Sequence, residues 1–356
     1  MKFKISIFLV AAAAAFAISP HVFAGGKKGV KKTGSRTGSV ASGSGAVASP
    51  NAIRAKKAGD LVFGDPIRYQ NISLVPVGTT AKGPFTKYTL LEKGLAAKTF
   101  AVRELNGKSG DAQVPAVEVR NKGKAPVYLL GGEMILGGKQ DRIISADTVI
   151  DPGGKWTKVN VFCVEQGRWR GQNMKFSAGK ALAHVGLQRA AMSGSQGSVW
   201  KEVARKNIKH GNQSSTSTYR RTIQDAKLRR KISPYRKTIA SRLPKGMSLA
   251  GMVFAINGKI RVVDLFGNPE LYASLQEKLL SSYILEALGQ KVVRNAPVIS
   301  KGAASNYLQK ARRTKKNKFK GSGRSDNYRM EDAQVIGNET YDKKTGKKVR
   351  ETYIMK

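Results

Sequence analysis

Cysteine is nearly absent from this chain. One thiol, Cys163, serves 356 residues, so no intramolecular disulfide can form and stability must come from an ordinary core. Histidine is almost as scarce, at three residues, and His/Cys zinc sets need more ligands than that. No G-x-S-x-G elbow, no P-loop and no G-x-G-x-x-G ahead of a helix occurs. No nucleophile–base pair is visible, no His/Cys metal set is found although Glu133 and Glu165 could hold a hard cation, and the cofactor is unknown from sequence. After the first residues, no apolar run approaches the length of a membrane span. Acidic residues are few, 23 against 64 basic ones, which gives a formal charge of +41. Such a charge predicts attraction to polyanions and salt-sensitive association, and is silent about fold.

What is present begins with a leader. Met1 to Lys4 is a short positive segment and Ile5 to Ile18 an apolar run too short for a comfortable membrane span. Val22-Phe23-Ala24 supplies permissive residues for cleavage. Residues 1–24 therefore read as a secretory signal peptide cut near Ala24, and the expected location is periplasmic or secreted. The charge is unevenly spread. Residues 25–59 hold eight positive and no negative side chains, 301–356 hold sixteen against six, and 205–245 hold thirteen against Asp225 alone. Residues 25–59 read as a flexible basic Gly/Ser-rich arm, and 301–356 as a basic, largely disordered tail with a short hairpin conceivable around Lys344-Thr345-Gly346.

Between these ends, 60–300 reads as one α+β domain. Period-two alternation over about 60–165 predicts a mostly antiparallel β layer, with a short helix at Thr89 to Lys98. Helical spacing follows over Lys180 to Met192, from Ser195 or Ser198 to Asn207, and over Ser217 to Arg242 with a break near Pro234. Asn257-Gly258 between two apolar runs predicts a hairpin over about 249–266. Asn268-Pro269 then opens a terminal helix over about 269–288.

Chemistry-bearing side chains gather at strand ends beside glycines. Gly131-Gly132-Glu133 and Gly137-Gly138-Lys139-Gln140-Asp141-Arg142 flank a three-residue apolar step, and Glu165, Gln166, Arg168 and Trp169 end a later strand. Glu133, Asp141 and Glu165 are candidate acid–base groups. Gln140, Arg142, Gln166, Arg168 and Trp169 are candidate ligand contacts, with the arginines suited to clamp a phosphate. The same residues equally suit a buried network that ties turns together. Cys163 reads as a buried inert thiol, and His184 as a satisfied, partly buried imidazole.

Five blocks also carry a resemblance: YQNISLVPV at Tyr69, LLGGEMILGGKQDRII at Leu129, VNVFCVEQGRW at Val159, SQGSVW at Ser195, and VDLFGNPELYASLQEKLLSSYILEAL at Val263. Together they resemble the ARG and rhodanese-phosphatase-superfamily-associated protein domain family over most of Asp60 to Gln290. The resemblance implies a link to NAD- or ADP-ribose-related systems without an established activity. It maps onto Glu133, Gln140, Asp141, Arg142, Glu165, Gln166 and Arg168, with Trp200 and Phe266 at apolar motif positions. The leader departs from a cytosolic NAD-metabolism role. Two functions are expected from these features. One is an exported domain that binds a small anionic ligand of nucleotide, ADP-ribose or sugar-phosphate type at the GGE/GGKQDR and EQGRW blocks. The other is an envelope or secreted protein holding polyanions, such as lipopolysaccharide or nucleic acid, through 25–59, 205–245 and 301–356.

Overall fold

Apolar runs of period two, broken by Gly, Asn, Asp and Lys, fold into strands, as that pattern dictates. The computed structural model describes residues 60–106, 112–168 and 175–356. The expected signal peptide, the basic arm and Trp169 lie outside these residues. In chain order the first elements are β1 (Leu61–Phe63), β2 (Ile67–Tyr69), β3 (Ile72–Thr79), β4 (Thr89–Leu90), α1 (Leu91–Ala96), β5 (Phe100–Asn106), β6 (Ala112–Asn121), β7 (Val127–Leu129), β8 (Glu133–Leu136), β9 (Arg142–Ile144), β10 (Thr148–Ile150), β11 (Trp156–Cys163) and β12 (Ser177–Leu182). Helices α2 (Val185–Met192), α3 (Gln196–His210), α4 (Arg220–Gln224) and α5 (Ala226–Arg242) follow. Then come β13 (Leu249–Ile256), β14 (Lys259–Phe266), α6 (Pro269–Ala287), α7 (Lys301–Arg312), β15 (Lys316–Phe319), β16 (Ser325–Glu331), β17 (Val335–Asp342) and β18 (Lys348–Met355). The fold is α+β, and the strand pairs are antiparallel except β4 beside β7.

The β13–β14 hairpin is the centre of a nine-stranded sheet, ordered β1-β3-β13-β14-β18-β17-β16-β15 with β2 on β3. Its turn residues, Asn257 and Gly258, have φ of 50° and 76°. Both lie in the left-handed region that a type I′ turn needs. Strand β13 is an unbroken apolar run because both of its faces are covered. Met252, Phe254 and Ile256 pack against Leu271, Leu275 and Leu279 of α6. Val253 and Ala255 share the opposite cluster with Ala304, Leu308 and Ala311 of α7. Asn268 caps α6 as its sequence predicts, accepting from Glu270 N at 2.9 Å and Leu271 N at 3.3 Å.

The remaining strands form a six-stranded sheet, β12-β8-β9-β11-β6-β5, and a three-stranded sheet, β10-β7-β4. Val117, Val119, Leu129, Ile135, Ile144 and Val161 fill the layer between them. Met134, Ile143 and Val164 on the other side meet Leu187, Val199 and Val203 of the helices. This places the GGE and QDR turns at opposite ends of β8.

Three expectations are corrected. Residues 301–356 are not a disordered tail. Helix α7 covers one face of the large sheet and β15–β18 complete it, with the conceived hairpin realised as β17–β18. The α6 helix is therefore not terminal. Pro234 does not break α5; its ring sits on the exposed side, where losing one backbone donor leaves no buried group unsatisfied. The break falls at Asp225, whose carboxylate caps α5 by accepting from Lys227 N at 2.7 Å and Leu228 N at 3.2 Å. Lastly, the helical spacing read over Lys180 to Met192 begins only at Val185, because Ser177–Leu182 pairs with β8 as a bulged strand.

Because α7 and β18 cover apolar strands, removing them exposes both. A chain truncated after Ser300 is expected to lose its cooperative thermal transition and to bind a hydrophobic dye. A truncated protein that melts sharply near the full-length temperature would contradict this placement.

Candidate functional site

The QDR and EQGR blocks do meet. Arg142, fully buried, donates through Nη1 and Nη2 at 2.9 and 2.8 Å to the two carboxylate oxygens of Glu104. Gln140 donates to the carbonyls of Glu165 at 2.8 Å and Gln166 at 3.4 Å. Arg168 bonds the Glu165 carboxylate through Nε at 2.8 Å and the Gly138 carbonyl at 2.9 Å. Asp141, with no exposed surface, accepts from Arg220, from Arg168 at 3.3 Å, from Gly137 N at 2.9 Å and from Thr218 at 3.4 Å. Each carboxylate is thus met by arginines and backbone donors, as a buried charge requires. The Gln166 side chain points to solvent. The partners that sequence reasoning missed, Glu104 and Arg220, come from β5 and α4, each more than 35 residues away along the chain from Arg142 or Asp141.

Glu133 is separated from this group and joins another. Gly132, with φ of 86°, turns the chain so that Glu133 enters β8 facing α6. There its carboxylate takes a bond from Lys278, and its second oxygen accepts from Leu130 N at 3.3 Å. Lys278 also lies 3.0 Å from Glu92 of α1. Burial pushes the Glu133 carboxyl up to about 7, against the pull of Lys278 and with help from the charge on Glu92. Lys278 shares the inward side of α6 with Leu275, Leu279 and Ser282, an apolar stripe interrupted by one cation. That interruption was the sequence signal for it.

Lys278 and Glu92 form one wall of a cleft of about 570 Å³. Leu182, Ile223, Leu228, Ile232 and Leu285 give it an apolar lining, and Ser233, Ser274 and Ser281 add hydroxyls. Arg236 is tied to Glu277 at 2.5 Å. Two further cations, Lys180 and Arg229, line the cleft; both are exposed, and neither pairs with a described carboxylate. Lys180 has φ of 50°, in the bulged part of β12. This is a conformation that costs a non-glycine residue roughly 1–3 kcal/mol. The two blocks are linked, since Asp141 holds Arg220 at the start of α4, and Thr222 and Ile223 of that helix form cleft wall.

His184 and Cys163 lie apart from the cleft. His184 is buried, with Nδ1 2.8 Å from the Tyr219 hydroxyl and Nε2 2.7 Å from Glu202. Burial, with the nearby Lys206 cation, pulls its pKa down. Cys163 is a buried free thiol that burial pushes up to about 11, which leaves little thiolate to react. Among the described residues, no group of three or more His, Cys, Asp or Glu is placed to hold a metal ion.

Fold and site together define an α+β domain whose motif residues brace the wall of an unpaired-cation cleft. The chain belongs to the ARG and Rhodanese-Phosphatase-superfamily-associated Protein domain family, whose family model matches residues 60–352. The match runs through α7 and into β18, so the family unit includes the C-terminal strands. Comparison with curated proteins and with solved structures gave no match.

Two outcomes are expected. Asp141→Ala strands Arg220 and removes one of the contacts of Arg168, and should cost about 3 kcal/mol in urea unfolding, at the low end for a broken buried pair because both arginines reach solvent. A loss below about 1 kcal/mol would mean that the network is slack. Glu133 holds its proton more tightly folded than unfolded, so its contribution to stability is complete below about pH 4.5 and is lost as pH rises to about 7. Glu133→Gln should therefore flatten the fall of melting temperature across that window. An unchanged slope would assign the window to other groups.

Proposed function

We propose that this domain binds a small organic anion in the cleft bounded by α1, the β12 bulge, α4–α5 and α6. The observation that carries this reading is that two cations, Lys180 and Arg229, pair with no carboxylate among the described residues and lie beside an apolar lining. Cations left without a carboxylate at a concave site are available to a ligand's negative charge. The strained backbone of Lys180 supports it further, because such outliers persist where the surrounding structure uses them. Nucleotide, ADP-ribose and sugar-phosphate ligands remain the classes to test. Among the lining residues no aromatic ring offers stacking, so aliphatic side chains would flank the ligand body. In this reading Gln140, Asp141, Arg142, Glu165 and Arg168 act by positioning α4, and Glu133 sets the charge of Lys278. Binding outside the cytoplasm rests on the leader-like Met1–Ala24 segment alone.

Polyanion capture is the second reading, and α5 favours it. Lys227, Arg229, Arg230, Lys231 and Lys237 are exposed on a helix that contains no acid. In 301–356 the case is weaker, because Arg312, Lys316, Arg324, Lys348 and Arg350 are held in ion pairs.

The test is a thermal-shift panel on the full chain at 0.15 M salt (roughly an 8 Å screening length), with ADP-ribose, NAD, sugar phosphates and simple carboxylates. One member should stabilise saturably. Lys180→Ala and Arg229→Ala should each weaken it about tenfold, the loss of one charge-assisted bond. Lys180→Gly should weaken binding without lowering the melting temperature, since glycine adopts positive φ without strain. A panel with no saturable shift, or binding indifferent to both cations, would overturn the reading.

A further inference from the structure

A second cleft, of about 380 Å³, lies where the β15–β16 hairpin meets β9–β11. Arg329, Lys320, Ser322, Asn160 and Ser145 supply its polar lining. Arg329 is half-buried and held in place twice over. Its Nε donates to Asn338 Oδ1 at 2.6 Å, and its guanidinium carbon lies 5.2 Å from the centre of the Phe319 ring. Its two terminal nitrogens have no partner among the described residues. The cross-strand neighbours of Arg329 are the neutral Asn317 and Asn338. The acid that acts on it, Glu331, is bonded instead to Lys356 at 2.8 Å. Arg142, Arg312 and Arg350, by contrast, each meet a carboxylate. An arginine taken partly out of water, fixed in plane and left with a free fork, is built to receive an oxyanion.

A small chamber beside this cleft supplies a second observation. Ser145 and Ala191 also line this chamber of about 10 Å³, together with Asn338, Thr352, Gln188 and the Asp147–Arg350 ion pair. Thr352 is 1% exposed and its hydroxyl has no partner among the described residues. A buried hydroxyl lining a space of about one water marks a polar pocket next to the cleft. Burial lowers the Arg329 pKa to about 10, with Glu331 opposing, consistent with a cation short of a counter-charge.

We propose that this cleft is a second anion site, in which the Arg329 fork takes a phosphate group bidentately and Lys320 closes over it from the rim. Its ligand class is a phosphate monoester or free phosphate. It shares no lining residue with the Lys180–Arg229 cleft, so the two proposals stand or fall separately.

Isothermal titration of the full chain with inorganic phosphate, and in parallel with glycerol 3-phosphate, tests it. Carried out in the Lys180→Ala background, which removes a cation of the other cleft, saturable binding is expected, weakened at least about tenfold by the further change Arg329→Gln. Tighter binding of the ester would assign an organic phosphate, and equal binding free phosphate. If Arg329→Gln fails to fold, Arg329→Lys decides, since it keeps the charge and removes the fork. Weakened binding by that variant supports the site. Absent saturation, or affinity that survives replacement of Arg329 in a folded variant, overturns it.

Discussion

The Arg350 guanidinium is the group on which the rest of this structure depends. It is buried, and it meets both oxygens of Asp264 at 2.6 and 2.7 Å and Asp147 at 3.0 Å. Asp264 also takes the Tyr283 hydroxyl from α6, and Asp147 takes Gly131 N at 2.6 Å. One cation thereby joins β18, β14, α6, the β9–β10 turn and the GGE turn. Its worth lies less in net energy than in specification, since a buried pair is costly to form and costlier to break. A one-residue slip of β18 would turn Arg350 onto the α7 face, away from both carboxylates.

The charge of +41 divides in the light of this arrangement. Part of it is structural: Arg142, Lys206, Lys278 and Arg350 are drawn inside and matched with acids. Another part, on α5, faces water. A third part, Lys180, Arg329 and the α5 residue Arg229, lines clefts without an ion pair to a described carboxylate. The functional reading concerns this last group. Composition registers all three alike, and only the placement of the few acids separates them.

Much of the fold was legible because local rules and tertiary context agree there. Asn257-Gly258 demanded its turn, Asn268-Pro269 its cap, and period-two runs their strands. The C-terminal strands were not legible because β18 buries Arg350, Glu351 and Thr352. Hydropathy reads such a segment as loop, and its compensating partners lie far away in sequence. Bulged β12 was masked by small residues that fit a helical period equally well. At the site, the motif residues were legible as a cluster but their role was not. Glu104 and Arg220, which saturate them, carry no local signal. The cleft cations come from a strand bulge and a helix that only the folded chain brings together.

The most direct measurement is a double-mutant cycle on Arg350 and Asp264, using Arg350→Met, Asp264→Asn and the pair in urea unfolding. If this ion pair clamps the C-terminal strand to the centre of the sheet, each single change should cost about 3–5 kcal/mol. The double change should then cost well below their sum. Costs that add to within about 0.5 kcal/mol would show two independent side chains and contradict the account.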